Sequence, residues 1–118
     1  MQWGKRGKGP GEFMLPHNVV TDAQGNVYLT DRDNQRIEVF DSNGTFLMEW
    51  TDTGGISGLF MTKDQHIWTG GVLRSLDGKA IGRLAGPGTA GAHGVDANES
   101  GDVYLAQLSG VVQRFVKP

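Results

Sequence analysis

The chain of 118 residues contains three histidines, and two of them occupy the same place relative to a tyrosine. His17 stands eleven residues before Tyr28 and His93 eleven before Tyr104, while the same spacing ahead of Trp68 reaches Ser57. Neutral imidazole is a good ligand for zinc or copper, and histidines from separate sequence units can converge without any local motif. His17 and His93 are therefore the candidate metal ligands, with an anion as the other chemistry such a pair would serve. The competing reading is that each imidazole only hydrogen-bonds at the start of a strand. Asp31 and Arg32 are the other chemically suggestive residues. A guanidinium can clamp a carboxylate bidentately, so this pair is the candidate ligand contact; a brace from Arg32 to Asp33 or Asp22 is the structural alternative. His66 lies two residues before Trp68 and by alternation shares its strand face, which reads as structural. Asp22, Asp31, Asp33 and Asp41 have no calcium-loop spacing and fit turn caps instead.

The register that relates these residues runs through most of the chain. Aligning Tyr28, Trp68 and Tyr104 gives units of roughly 40 residues, the period expected of propeller blades or stacked repeats. In the first unit, Asn18 to Thr21 is an apolar run, Gln24-Gly25-Asn26 a hairpin signal, Val27 to Thr30 a second strand and Arg36 to Phe40 a third. Ser42-Asn43-Gly44 then turns into Phe46 to Trp50. The second unit reads Ser57 to Met61, His66 to Thr69, Val72 to Leu76 and Ala80 to Leu84. The third reads His93 to Ala97, Val103 to Ala106 and Val111 to Val116, without a fourth strand. Met1-Gln2-Trp3-Gly4 matches the end of the first unit's fourth strand at Met48-Glu49-Trp50. The expected organisation is all-β, with three four-stranded blades at about 11–54, 55–88 and 89–118.

The stretch GEFMLPHNVVTDAQGNVYLTDRDNQRIEVFDSNGTFL resembles an NHL repeat, the unit of six-bladed propellers, most closely over Gly11 to Trp50. HGVDANESGDVYLAQLSGVVQRF keeps the pattern more loosely, with Gln107 in place of an aspartate, and the middle unit is the most degenerate. Three blades cannot surround a channel, and an open half leaves apolar faces and strand edges bare. The expectation is a homodimer in which residues 1–3 of one chain supply the outer strand of the other chain's last blade; a fragment of a longer protein is the rival. His17 and His93, starting the innermost strands, would then face the channel.

A narrower resemblance attaches to LPHNVVTDAQGNVYLTDRDNQRIEVF, which is similar to a zinc-histidine blade of the peptidylglycine amidating lyases at Pro16-His17 and Asp31-Arg32. It implies zinc on His17 and His93 and a substrate or carboxylate contact at Arg32. Zinc would polarise an oxygen there while arginine fixed a carboxylate. Ser57 stands where that family has a further histidine, and no tyrosine matches its catalytic one.

Composition narrows the rest. The formal charge of -2 and the isolated Lys5, Arg6 and Lys8 argue against nucleic acid. The segment Gly7-Lys8-Gly9-Pro10-Gly11 lacks the Lys-Ser/Thr step of a phosphate-cradling loop. The absence of cysteine excludes disulfides and thiol catalysis. No apolar run approaches 18 residues and no signal-like apolar core begins the chain, so a soluble, cytoplasmic protein without membrane contact is the default expectation. Phe13, Phe40, Trp50, Phe60, Trp68 and Phe115 read as core. The function expected is a noncatalytic propeller that binds a protein or small ligand through its channel or end loops. The alternatives are a zinc-dependent lyase built across two chains and a propeller remnant without retained activity.

Overall fold

A computed structural model describes residues 1–118, whose regular elements are all strands apart from one 3-10 turn at Arg32–Asn34. It divides into two compact units, Met1–Ile56 and Ser57–Pro118. No helix is long and apolar enough to cross a membrane.

The first unit begins with β1 (Lys5–Arg6) and β2 (Glu12–Phe13), a short parallel pair. A four-stranded antiparallel sheet follows, with β3 (Pro16–Thr21), β4 (Val27–Asp31), β5 (Arg36–Phe40) and β6 (Phe46–Trp50) side by side in chain order. Alternation explains its buried face: Tyr28 is opposite Val39, Thr30 opposite Ile37 and Ile37 opposite Trp50, and all five are buried. Trp3, Phe13 and Phe46 gather around the Phe40 ring with centroids 5.6, 5.9 and 6.0 Å away. Met1-Gln2-Trp3, expected to resemble a strand end, lies outside any strand, and Trp3 packs on Phe40 instead.

The second unit holds two antiparallel sheets. One comprises β7 (Leu59–Met61), β8 (Ile67–Thr69), β9 (Val72–Arg74) and β10 (Ala80–Arg83); the other comprises β11 (Gly94–Ala97), β12 (Val103–Ala106) and β13 (Val112–Phe115). Ala92, Val103 and Leu105 are its buried core, with Trp68, Leu84, Val95, Ala97 and Phe115 packed on them. The third sheet has three strands, as the sequence indicates. The middle strands are shorter than expected for local reasons. At Gly58 a Cβ would lie 2.9 Å from the His93 carbonyl oxygen, so this residue serves a close backbone approach and pairing starts only at Leu59. Val72–Leu76 ends early at Arg74 because Ser75 already turns, its N–H donating to the Lys79 oxygen at 3.0 Å.

The turn between the first two strands of each sheet is built alike with different side chains. The Asp22 carboxylate accepts from the Asn26 N–H, the Thr62 hydroxyl from the His66 N–H and the Asn98 side-chain oxygen from the Asp102 N–H, each at 2.9 Å. The residue before each donor in these turns takes a left-handed backbone: Gly25 at φ 84° and Gly101 at φ 88°, but Gln65 at φ 62°. Burial works against ionisation of Asp22, yet hydrogen bonds from Asn26, Tyr28 and Gln24 hold its carboxyl below the usual range. Burial, with Asp22 beside it, pushes the Tyr28 hydroxyl up.

Arg36 organises the glycine-rich entry to the first sheet. Its Nε lies 3.4 Å from Asp31; Nη1 donates to the Lys8 oxygen at 2.8 Å and to Glu49 at 3.1 Å; Nη2 donates to the oxygens of Gly9 at 3.0 Å and Glu12 at 2.7 Å. Glu38 accepts from the Gly11 N–H at 2.9 Å, and its second oxygen faces Arg36 Nη2 at 3.3 Å without forming a hydrogen bond. Burial raises the Glu38 carboxyl pKa more than the Gly11 N–H and Arg36 lower it.

Two outcomes follow from this geometry. Replacing Gln65 by glycine relieves a left-handed side chain and is expected to raise unfolding stability by up to about 1 kcal/mol in urea melts; a loss of stability would show that the Gln65 side chain matters more than its backbone. Glu38 binds its proton more readily folded than unfolded. Its contribution to stability is therefore complete below the ordinary value of 4.5 and is lost as pH rises through the elevated folded value. Glu38→Gln should gain in stability relative to the parent as pH rises above the ordinary value of 4.5, and a pH-independent difference in paired urea titrations would contradict this.

Candidate functional site

The structure separates the expected ligand pair. Asp31 is buried at the end of β4, where one carboxylate oxygen accepts the N–H groups of Met14 at 2.9 Å and Leu15 at 3.1 Å. The other accepts from Asn34 at 2.6 Å. With its oxygens turned inward to these donors, Asp31 is a scaffold for the entering loop. Its cationic partner is Arg36, not Arg32. Arg32 opens the 3-10 turn, and its N–H donates to the Leu15 oxygen at 3.0 Å. Its guanidinium braces neither Asp33 nor Asp22, since Asp22 serves the turn at the far end of β4.

The two histidines stand at the starts of strands in different sheets. His17 is the second residue of β3 and is exposed; His93 immediately precedes β11, is half-buried, and its N–H donates to the Ala106 oxygen at 3.0 Å. They belong to different compact units. No three His, Asp or Glu side chains come together as a metal-binding group. The residues of one chain thus do not fit the zinc site that the lyase resemblance implies.

A concavity lies within the second unit, where the β7–β8 and β11–β12 turns form the two sides of a cleft of about 460 Å³. Phe60, Trp68 and Leu73 give it an apolar lining, and Trp68 is anchored by packing against the core of Ala92, Val103 and Leu105. Its polar residues come from the turns. Lys63 approaches Glu99 at 3.8 Å across the cleft, while His66 Nδ1 lies 3.4 Å from an Asp64 oxygen. The Thr62 hydroxyl donates to the other Asp64 oxygen at 2.5 Å and, with His66 and Lys117 nearby, holds that carboxyl below its usual range. Lys117 reaches over Gly101, tethered through its backbone N–H, which donates to Asp102 at 3.0 Å. Arg114 also donates to Asp102, at 2.7 Å, and is the main reason the Asp102 carboxyl is lowered.

His66 is therefore a cleft residue that alternation along β8 assigned to a structural role. Its Nδ1 faces Asp64, so this carboxylate sets the orientation of the ring. The signal available in the sequence was the departure of Lys63-Asp64-Gln65-His66 from the Gln-Gly-Asn turn of the first unit. The pairing of this turn with Ala97–Gly101 depends on how two sheets pack, which no local pattern encodes.

Comparison with known proteins agrees with this architecture. The NHL repeat family matches residues 13–40. The human NHL repeat-containing protein 3 is 44% identical over 50 residues, covering 42% of this chain and 14% of that protein. The chain thus corresponds to a small part of the curated relative's length. Among solved structures, the WD40 β-propeller domain of Doa1 superposes with a TM-score of 0.71 at 15% identity, covering 88% of this chain and 37% of that one. Virginiamycin B lyase from Staphylococcus aureus gives 0.60 at 16% identity, covering 87% and 41%. At such identities the likeness is one of fold. Residues 13–40 match an NHL repeat, and the chain as a whole is an all-β fold of antiparallel sheets like those of β-propellers.

Proposed function

We propose that this chain is a noncatalytic binding module in which the cleft of the second unit receives an apolar side chain from a partner protein. The observation that carries the reading is the cleft itself: about 460 Å³, floored by Phe60, Trp68 and Leu73 and rimmed by charged turns. Enclosed apolar surface with a few converging polar groups is the usual form of a ligand site. The charges of Lys63 and Lys117 are offset by Asp64 and Glu99. A neutral aromatic or aliphatic anchor suits such a rim better than a strongly charged ligand. Arg32, on its turn in the first unit, is a separate candidate contact for a carboxylate, with Asp31 as its buried support.

N-acetyl-tryptophanamide and N-acetyl-leucinamide are suitable probes, read by the Trp68 indole N–H resonance. Saturable shifts with roughly millimolar affinity are expected for isolated anchors of this size, and Leu73→Lys should abolish them. Shifts that never saturate, or that persist in the variant, would remove the cleft from consideration and leave a fold without demonstrated binding.

The zinc-lyase alternative draws on His17 and His93 of more than one chain. Metal analysis of purified protein after dialysis against zinc is expected to give less than stoichiometric retention, unchanged in His17→Ala. Stoichiometric zinc that this substitution removes would reverse the noncatalytic reading.

A further inference from the structure

The β7–β8 turn carries a hydrogen-bonding atom that its two counterparts lack. Asn26, His66 and Asp102 occupy one position in the three capped turns, since each gives its N–H to the capping group. In the first turn the Asn26 side chain is engaged by Asp22 at 3.0 Å. In the third, the Asp102 carboxylate accepts from Arg114 at 2.7 Å and from the Lys117 N–H at 3.0 Å. The imidazole of His66 is committed on one side alone: Nδ1 faces an Asp64 oxygen at 3.4 Å, and no protein group hydrogen-bonds Nε2. The side chain is 35% exposed and lines the cleft.

Asp64 is itself held in place. Its other oxygen accepts the Thr62 hydroxyl at 2.5 Å, and that hydroxyl oxygen accepts the His66 N–H at 2.9 Å. Carboxylate, hydroxyl and imidazole thus form one loop of contacts inside a single turn. A carboxylate beside one ring nitrogen keeps the proton on that nitrogen, and the neutral imidazole then has an acceptor at the other. Nε2 is accordingly an acceptor at a cleft whose floor is Phe60, Trp68 and Leu73.

The complement of an acceptor beside apolar surface is an aromatic ring with a donor and no acceptor, and among side chains this is the indole. Lys63 and Lys117 on the rim favour the same ring, because ammonium groups are attracted to indole faces more strongly than to phenol or phenyl. A leucine in that place would cover Nε2 and leave it without a donor. We propose that the cleft takes a tryptophan side chain of a partner protein, its indole N–H donating to His66 Nε2 and its ring lying on the apolar floor. Asp64 is the positioning residue that keeps Nε2 an acceptor. This inference rests on the cleft being the binding site and adds what it selects.

The test compares N-acetyl-tryptophanamide with its 1-methylindole derivative in mildly alkaline buffer, with N-acetyl-tyrosinamide as a third probe. The methylated ligand, which has no indole N–H, is expected to bind about fivefold or more weakly to the parent protein. In His66→Phe the two tryptophan ligands should differ by less than about twofold, as a double-mutant comparison requires. Equal binding of both by the parent would overturn this inference while leaving the cleft as a site. So would discrimination that persists in His66→Phe, which would make it a steric effect of the methyl group, or tighter binding of the tyrosine probe. Saturable binding of none of the probes would remove the cleft and this inference together. A second readout needs no ligand: long-range nitrogen–proton NMR correlations of the His66 ring should show the proton on Nδ1 in the parent and a larger Nε2–H population in Asp64→Asn. A parent ring protonated chiefly at Nε2 would overturn the proposal.

Discussion

The first unit depends on one buried cation. The chain from Gly7 to Leu15 is largely irregular backbone, and irregular backbone close to a sheet has polar groups that no ladder can satisfy. Arg36 meets three of its carbonyls, those of Lys8, Gly9 and Glu12, while Asp31 receives the N–H groups of Met14 and Leu15. The loop, the start of β3 and the exit of β4 are thereby fixed by Arg36 and the carboxylates around it. Removing one member of a buried pair typically costs about 3–5 kcal/mol because the other charge is left behind. Lysine would not substitute well, since three donors on one atom cannot reach carbonyls and carboxylates on several sides at once. His17 is positioned on β3 by this same clamp, so the placement of the candidate ligand follows from a structural requirement.

The elements of the first sheet were largely legible because side-chain period and turn chemistry agree there. Arg36–Phe40 and Phe46–Trp50 form as expected to the residue, and Val27 to Thr30 extends by Asp31 alone. The second sheet was less so. Gly58, Gly70 and Gly71 stand where backbone comes close to neighbouring chain, and such glycines interrupt an apolar pattern for reasons that lie in distant sequence. The same limit governs the site. Asp31-Arg32 reads as a ligand contact because a guanidinium can hold a carboxylate. The structure buries Asp31 and puts Arg32 on the 3-10 turn, and the charge partner of Asp31 lies five residues along, at Arg36, a long-range role that no local pattern announces.

The cleft arises where the repeat pattern has drifted furthest. Repeats that stack need to keep the packing that defines their sheets, but their turns meet solvent and are free to vary. In the first unit the Asp22 turn is closed by Asn26 and Tyr28 and leaves the carboxylate fully employed. At the corresponding turn of the second sheet, Thr62 performs the capping with a smaller group, and Gln65 accepts a left-handed backbone that glycine takes elsewhere. Lys63, Asp64 and His66 line the cleft rim there, with Asp64 also receiving the Thr62 hydroxyl. Trp68, held below by the Ala92, Val103 and Leu105 core, supplies a fixed apolar surface beneath them. Rigidity from the repeated strand pattern and variety from the turn are both needed for recognition, because ordering a mobile floor would cost entropy that offsets the free energy of docking. The degenerate repeat is thus the one whose turn has departed furthest from the cap of the first sheet, and the proposed binding cleft lies beside it.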